Sequence, residues 1–313
     1  MKEENLIFIV SQPRAGSTYL QNLLSNNKEV NTCSEPWILL NFVNQLKPEL
    51  VRSKIDNQLA IGALHNYLKK YSNFNYQTCL KNYLLSLYSP LSGDYQFVID
   101  KTPRYWEILD EIIELFPNCK LIVLHRNPIN VLKSIITTWR LTSFKELNLF
   151  RRDLLYAPKK LHNFCEKHEN NKNVYSLNYE FLIENTSFEL EKIYKWIGIP
   201  FNESVLKTDS NIKYKGEYGD PFQNSRDGYS KTKKKLQATT ISKPFKNLII
   251  GYGKFLGKDF LQNYGYEKLP KFKSTLAFNY FLHLREDDER SFATSKNFKW
   301  YVKHYFYKIM FGN

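Results

Sequence analysis

Residues 13–19 read Pro-Arg-Ala-Gly-Ser-Thr-Tyr, a set of side chains and backbone suited to meeting an anion. Arg14 brings a guanidinium. Gly16 opens the backbone so that neighbouring N–H groups can converge, and Ser17 and Thr18 add two hydroxyls where a helix can begin. A nucleotide triphosphatase loop needs G-x-x-x-x-G-K-[ST], whose lysine reaches the terminal phosphates. This loop has neither that lysine nor that spacing. Its donors suit a single phosphate or sulfate group held without magnesium. The competing reading is an ordinary strand-to-helix turn, with Gly16 supplying geometry and Ser17 an N-cap.

The elements that must carry the loop are legible around it. Leu6–Val10 is a continuous apolar run of the buried-strand kind, and from Ser17 onward Tyr19, Leu20, Leu23 and Leu24 recur at helical spacing. Two more buried strands are expected at Tyr95–Asp100 and Lys120–His125. Between them Tyr105–Phe116 reads as an amphipathic helix, with Trp106, Leu109, Ile112, Ile113 and Phe116 on one face and Pro117-Asn118 ending it. A helix is expected over Pro128–Leu141, a strand at Val174–Asn178, and a helix around Ser187–Ile197 closed by Gly198. Strands alternating with helices indicate an α/β fold with a parallel sheet. Residues 37–90 show only helical periodicity and read as an insertion; residues 211–236 are turn-rich and polar, a long loop.

A second cluster sharpens the reading. Leu121-Ile122-Val123-Leu124-His125-Arg126-Asn127-Pro128, followed by Val131 and Ser134, is a strand ending in arginine, a proline turn and a helix with an early serine. Together with Pro13–Thr18, it makes the chain resemble the sulfotransferases that use 3′-phosphoadenosine 5′-phosphosulfate. The resemblance is to the bacterial type, similar to the tyrosylprotein and heparan-sulfate enzymes. In that family P-R-[SA]-G-[ST]-[ST] grips the cofactor's 5′-phosphosulfate, and a strand-end arginine with a helix serine holds its 3′-phosphate. The resemblance thus implies that Arg14, Ala15, Gly16, Ser17 and Thr18 bind the first group, and Arg126 and Ser134 the second. A guanidinium at a strand end can present a fork to a phosphate. Also implied is a P-loop-like three-layer fold with a central parallel sheet, over a domain of residues 1–270 that contains the helical insertion 37–90. Residues 271–313 depart from the family as a basic, aromatic, helical C-terminal extension.

Sulfuryl transfer to a hydroxyl needs a base near the acceptor oxygen and cations near the transferring group. Glu35, in Cys33-Ser34-Glu35-Pro36-Trp37, lies 21 residues after Arg14. The resemblance puts it where the tyrosylprotein enzymes carry their catalytic glutamate, at the end of a short Val30–Cys33 strand. His125 is an alternative base, read as a structural histidine. Lys101, in Asp100-Lys101-Thr102-Pro103-Arg104-Tyr105, falls in a string similar to [DE]-K-[TS]-P-x-Y of heparan-sulfate-type enzymes. Its implied role is to stabilise charge on the bridging oxygen, against the bland reading of a solvated strand-end lysine. Arg104 is a candidate to face the acceptor. Asn178-Tyr179-Glu180-Phe181-Leu182 is similar to the family's Y-E-x-L segment, which gives Tyr179 a place near the nucleotide or, equally, in the core. The loop around Gly219-Asp220-Pro221 adds Ser225 and Arg226 as nucleotide contacts.

The implied reaction moves a sulfuryl group to a hydroxyl-bearing acceptor without a metal and yields adenosine 3′,5′-bisphosphate. The Lys101–Tyr105 string leans toward a carbohydrate and the Glu35 spacing toward tyrosine; a lipid headgroup or small metabolite stays open. Two rivals are a nucleotide kinase and a non-enzymatic polyanion-binding protein.

Composition bounds these readings. The 313 residues are 42% hydrophobic and include 22 Tyr, 22 Phe and 5 Trp, ample surface for a core, which excludes a disordered chain. With only 12 Gly and 12 Pro, a collagen-like chain is excluded too. The net charge of +14 suggests a polyanion partner, but residues 1–230 hold 28 basic and 25 acidic side chains, whereas residues 231–313 hold 17 and 6. The excess is C-terminal. There Phe298, Val302, Tyr305 and Ile309 form an apolar stripe beside Lys296, Lys299 and Lys303, a helix docked on the domain or one contacting a membrane surface or acidic polymer. No nucleic-acid partner is expected. Cys33, Cys79, Cys119 and Cys165 form no CxxC pair, so a zinc site is not expected and reduced thiols are. The five-residue run Leu6–Val10 is too short for a signal peptide or membrane span, so the expected location is cytoplasmic.

Overall fold

In the computed structural model the strands are β1 (Leu6–Ser11), β2 (Val30–Thr32), β3 (Phe97–Lys101), β4 (Lys120–His125) and β5 (Val174–Asn178). They form one sheet in the order β2-β3-β1-β4-β5. The pairs β2–β3, β3–β1 and β1–β4 are parallel, and Ile9 of β1 stands between Lys101 of β3 and Ile122 of β4. The structure describes residues 1–71, 75–206, 241–264, 280–285, 306–307 and 309–310. The chain divides into two compact units: Met1–Ser11, Gly16–Leu124 and Leu161–Arg226 form the first, and Gln12–Ala15, His125–Lys160 and Asp227–Asn313 the second.

Helices in chain order are α1 (Ser17–Ser25), α2 (Ile38–Asn41), α3 (Val43–Leu46), α4 (Asn57–Lys70), α5 (Tyr76–Ser92), α6 (Leu109–Leu115), α7 (Pro128–Thr138), α8 (Arg151–Leu155), α9 (Ala157–Lys167), α10 (Tyr179–Glu184) and α11 (Thr186–Ile197), followed by Lys243–Leu256 and Lys258–Gln262. In the first unit both faces of the sheet are covered. Ile7, Ile9, Ile99, Ile122 and Leu124 pack with Leu20, Leu23 and Leu24 of α1 and with Leu190, Ile193 and Tyr194 of α11. On the other face the Phe8 ring meets Tyr88 of α5, Tyr105 and Phe116, with centroids 6.1, 6.1 and 5.9 Å away. This is a three-layer α/β arrangement, and it explains why β1 and β4 read as unbroken apolar runs: strands enclosed on two faces have no solvent side to alternate with. The second unit has its own apolar cluster, in which Ile129, Leu132 and Ile135 of α7 join Phe245, Leu248 and Tyr252 of helix Lys243–Leu256. Tyr252 Oη donates to the Leu154 carbonyl at 2.7 Å, and Gln12 Nε2 to that of Asp153 at 2.8 Å.

Several boundaries differ from the expectation. β3 begins at Phe97 and extends through Lys101. The helix expected at Tyr105–Phe116 is two pieces, a 3-10 helix over Pro103–Ile108 and then α6. Pro103 sits at its start, and the tighter winding lets Tyr105, Trp106 and Ile108 all be buried where an α-helix would turn one outward. α7 stops at Thr138 and not at Leu141, where Arg140 adopts a left-handed φ of 50°. The insertion is helical throughout its named elements; Asp56 caps α4 by accepting from Leu59 N, and Asn75 caps α5 by accepting from Thr78 N, each at 2.9 Å. The boundary at residue 270 and the stripe Phe298-Val302-Tyr305 lie outside the described residues. Among the described residues no helix is long and apolar enough to cross a membrane.

One contact tests how the layers hold α1. Tyr194 Oη of α11 lies 3.0 and 3.1 Å from the carbonyls of Leu23 and Leu24 in the last turn of α1, where Leu24 O also accepts the Asn27 N–H at 3.2 Å. Tyr194→Phe keeps the ring and removes the donor. It should lower the unfolding free energy by ~1–2 kcal/mol in urea denaturation, with an unchanged far-UV spectrum.

Candidate active site

The Pro13–Tyr19 loop has an unusual backbone. Arg14 takes φ 72° and Gly16 φ 97°, two left-handed positions flanking Ala15, whose N–H donates to Gln12 O at 3.0 Å. A non-glycine residue there is strained, a feature that concentrates at binding sites. α1 starts at Ser17 with Gly16 as its N-cap and no side-chain cap, so Ser17 is not the capping residue of the ordinary-turn reading. The Tyr19 and Leu20 N–H groups donate to the Gly16 carbonyl at 3.0 and 3.2 Å, and the Ser17 and Thr18 N–H groups stand before them at the start of this nine-residue helix. Gly16 has a second reason to be glycine: a Cβ there would collide with the Tyr179 ring. Tyr179 is held against it because Asn178 caps α10, accepting from Phe181 N at 3.1 Å, which makes Tyr179 the first residue of that helix.

Arg126 follows β4 directly. Asn127 caps α7 by accepting from Ile129 N at 2.9 Å, and Pro128 occupies the first helical position. Within the second unit Arg126 Nη1 donates to the Arg14 carbonyl at 2.8 Å, so the two arginines expected at the cofactor's two anionic groups are directly linked. Ser134 stands near the middle of α7, half-buried, and not at its beginning as the early-serine description implied.

In the first unit Lys101 and Glu35 form an ion pair, Nζ to Oε1 2.7 Å, with the lysine 2% and the glutamate 14% exposed. The solvated-lysine reading is therefore excluded. β2 ends at Thr32, one residue short of the expectation, and the segment leading to Glu35 is anchored from two sides. Gln21 of α1, fully buried, donates through Nε2 to Thr32 Oγ1 at 2.7 Å and to the Cys33 carbonyl at 2.8 Å. Thr32 Oγ1 in turn donates to the Ile99 carbonyl of β3 at 2.9 Å. Burial, reinforced by the charge of Asp100, pushes the Cys33 thiol up to about 12, so it stays protonated at neutral pH and is no nucleophile. The Arg104 guanidinium lies over the Trp37 ring, 5.7 Å from its centroid, and Trp37 itself takes φ 52°. His125 is buried. Ser225 and Arg226 lie outside the described residues.

Asp100, Gln21 and Tyr88 were not singled out by sequence reasoning. Asp100 is fully buried and accepts hydrogen bonds from Tyr88 Oη at 2.7 Å, Tyr105 Oη at 2.9 Å and Thr102 Oγ1 at 2.7 Å. Burial raises its carboxyl to about 6, with the three hydroxyls and Lys101 acting against the rise. The available signal was an acidic residue inside an otherwise apolar strand.

The Pro13–Thr18 loop offers a guanidinium, hydroxyls and backbone N–H groups, all donors. That donor set fits a ligand bearing phosphate and sulfate groups. A model of the Sulfotransferase family matches residues 6–203, more than half of the chain and all of β1 to α11. The chain belongs to the sulfotransferase family. Among sulfotransferases and relatives, it is 28% identical to the nodulation protein NoeE of Sinorhizobium fredii over 140 residues, which are 43% of this chain and 32% of that protein. It is 22% identical to the protein-tyrosine sulfotransferase of Drosophila melanogaster over 214 residues, 67% of this chain and 41% of that protein. The chain thus spans less than half the length of these relatives, 32% of one and 41% of the other. A solved sulfotransferase domain, from the olefin synthase of Synechococcus PCC 7002, aligns with 85% of this chain and 95% of that chain at 20% identity and a TM-score of 0.48. Among the described residues no group of three or more His, Cys, Asp or Glu is placed to hold a metal ion.

Two measurements test this geometry. Gly16→Ala combines backbone strain with the Tyr179 collision and should cost ~1–3 kcal/mol of stability in urea denaturation. Adding Tyr179→Ala should recover only part of that loss, because the φ strain persists. For Asp100, the folded carboxyl near 6 against an unfolded value of 3.8 means that the folded protein binds the extra proton between them. Its contribution is therefore most favourable below about 4 and is lost as pH rises through about 6. The stability of the wild type relative to Asp100→Asn should rise as pH falls from neutral to about 5; a pH-independent difference would contradict the raised value.

Proposed function

We propose that this chain transfers a sulfuryl group from 3′-phosphoadenosine 5′-phosphosulfate to a hydroxyl of a carbohydrate acceptor. The observation that carries the reading is the buried Glu35–Lys101 ion pair, a carboxylate and an ammonium 2.7 Å apart at the ends of neighbouring strands. When bound, the cofactor supplies the activated sulfuryl group. Backbone N–H groups of residues 15–18 with the side chains of Arg14, Ser17 and Thr18 would hold its 5′-phosphosulfate, Arg126 and Ser134 would hold its 3′-phosphate, and Tyr179 would contact the nucleotide. Glu35 takes the proton of the acceptor hydroxyl, whose oxygen then bonds to sulfur as the sulfur–oxygen bond to the 5′-phosphate breaks.

The pairing of Glu35 with Lys101 gives this sequence an internal logic. The Lys101 Nζ–H donates to Glu35 Oε1 at 2.7 Å, so the proposed base and the proposed cation share one contact. Once Glu35 has taken the proton, it no longer neutralises Lys101, and the freed ammonium is available to the bridging oxygen as negative charge grows there. The carbohydrate acceptor is supported by the Asp100–Tyr105 string. A tyrosine acceptor is the second reading, supported by the similarity to the fly protein-tyrosine sulfotransferase and by the Glu35 spacing.

The test pairs binding with turnover. Adenosine 3′,5′-bisphosphate should raise the melting temperature of the wild type, and Arg14→Ala or Arg126→Ala should abolish that rise. Glu35→Gln should keep the rise and lower the rate of labelled sulfate transfer by ~10²–10⁴-fold. Stabilisation by ATP with magnesium and none by the bisphosphate would overturn the reading in favour of a kinase. Oligosaccharides and tyrosine peptides, offered side by side, decide the acceptor.

A further inference from the structure

Asp100 has no part in the steps above, yet its side chain is where three segments of the first unit meet. Tyr88 comes from α5 of the helical insertion, Tyr105 from the 3-10 helix, and Thr102 from the residue that leaves β3. Side chains alternate along a strand, so Asp100 faces the same side as its register partner Phe8, and Lys101 faces the opposite side with Ile9. Asp100 and Thr102 flank Lys101, so their 2.7 Å bond fixes the backbone on both sides of the lysine. Tyr105 Oη also accepts the Leu39 N–H at 2.9 Å, and Leu39 lies four residues beyond Glu35. One carboxylate is therefore joined to the strand end that carries Lys101, to the segment that carries Glu35, and to the insertion.

We propose that Asp100 is a positioning residue for the Glu35–Lys101 pair, acting through Thr102 and Tyr105, and that Tyr88 makes the helical insertion part of the same brace. Its effect on turnover rests on the sulfotransferase reading. A residue that sets the geometry of reacting groups acts on the chemical step, where displacements of an ångström are costly, and leaves cofactor affinity unchanged. The groups facing Asp100 are the Tyr88 and Tyr105 hydroxyls, Thr102, Lys101 and the Cys33 thiol, none of which carries a competing negative charge at neutral pH.

The experiment compares Asp100→Asn, Tyr88→Phe and Tyr105→Phe in the full chain; the phenylalanine variants keep the packing if Asp100→Asn folds poorly. Each should lower kcat by ~10–100-fold, with Tyr105→Phe the more severe of the two tyrosine changes. The KM for the cofactor and the thermal shift with adenosine 3′,5′-bisphosphate should stay within about twofold of wild type. In a Lys101→Met background the same changes should have little further effect on kcat, as expected for residues acting through the lysine. Independently of turnover, amide hydrogen exchange over residues 35–41 should quicken by ~5–10-fold in Asp100→Asn and Tyr88→Phe. Wild-type kcat in the variants, losses that multiply unchanged in the Lys101→Met background, or unaltered exchange over residues 35–41 would overturn the proposal. A wild type that transfers sulfate to no acceptor would instead count against the sulfotransferase reading, while the exchange measurement still decides the brace.

Discussion

The buried pairing of Lys101 with Glu35 is the constraint around which the first unit is arranged. An ammonium with almost no solvent contact is tolerable only beside an opposite charge, and removing either partner leaves the other stranded in a low-dielectric setting. The two residues are far apart in sequence, Lys101 ending β3 and Glu35 lying three residues beyond β2, so the pairing of β2 with β3 is what brings them together. Gln21 and Thr32 serve that end. They join α1, the exit from β2 and the Ile99 carbonyl of β3 into one hydrogen-bonded set, which fixes where the chain carrying Glu35 leaves the sheet.

The strand order gives the same residues a common address. Arg14 follows β1, Glu35 follows β2, Lys101 ends β3 and Arg126 follows β4. Within the first unit Glu35 and Lys101 come after or at the carboxyl ends of adjacent strands, the end where open parallel sheets bind their ligands. Glycine and asparagine at the turns make this possible at short range: Gly16 lets α1 begin immediately after the loop, and Asn127 and Asn178 cap the helices that follow β4 and β5. The positions that carry charge are thus set by local capping chemistry at helix starts, while their mutual placement is set by the sheet.

Much of this was legible in the sequence because it is local. Apolar runs marked β1 and β4, and the loop and the Arg126 motif announced themselves by residue type and order. The helix Lys243–Leu256 is harder to read: Phe245, Leu248, Ile249, Tyr252 and Leu256 recur with a helical period, but Lys243, Lys246 and Lys254 are interspersed among them. What could not be read was any feature defined by a distant partner. Lys101 gave no sign of being enclosed until Glu35 stood against it. Asp100 looked like the polar start of a turn, and its meaning came from Tyr88 and from a tyrosine whose hydroxyl also serves Leu39. Gly16 could be assigned to backbone geometry alone, but the Tyr179 ring beside it comes from beyond β5.

The bond from Arg126 to the Arg14 carbonyl has a consequence for how quickly an anion can be captured. Arg14 sits in a conformation that a free chain visits rarely, and a loop that had to find it during each encounter would bind slowly and lose conformational entropy on binding. With its carbonyl already anchored, the loop presents its donors in advance. That entropy loss is incurred once, during folding, and association is left to diffusion and electrostatic attraction.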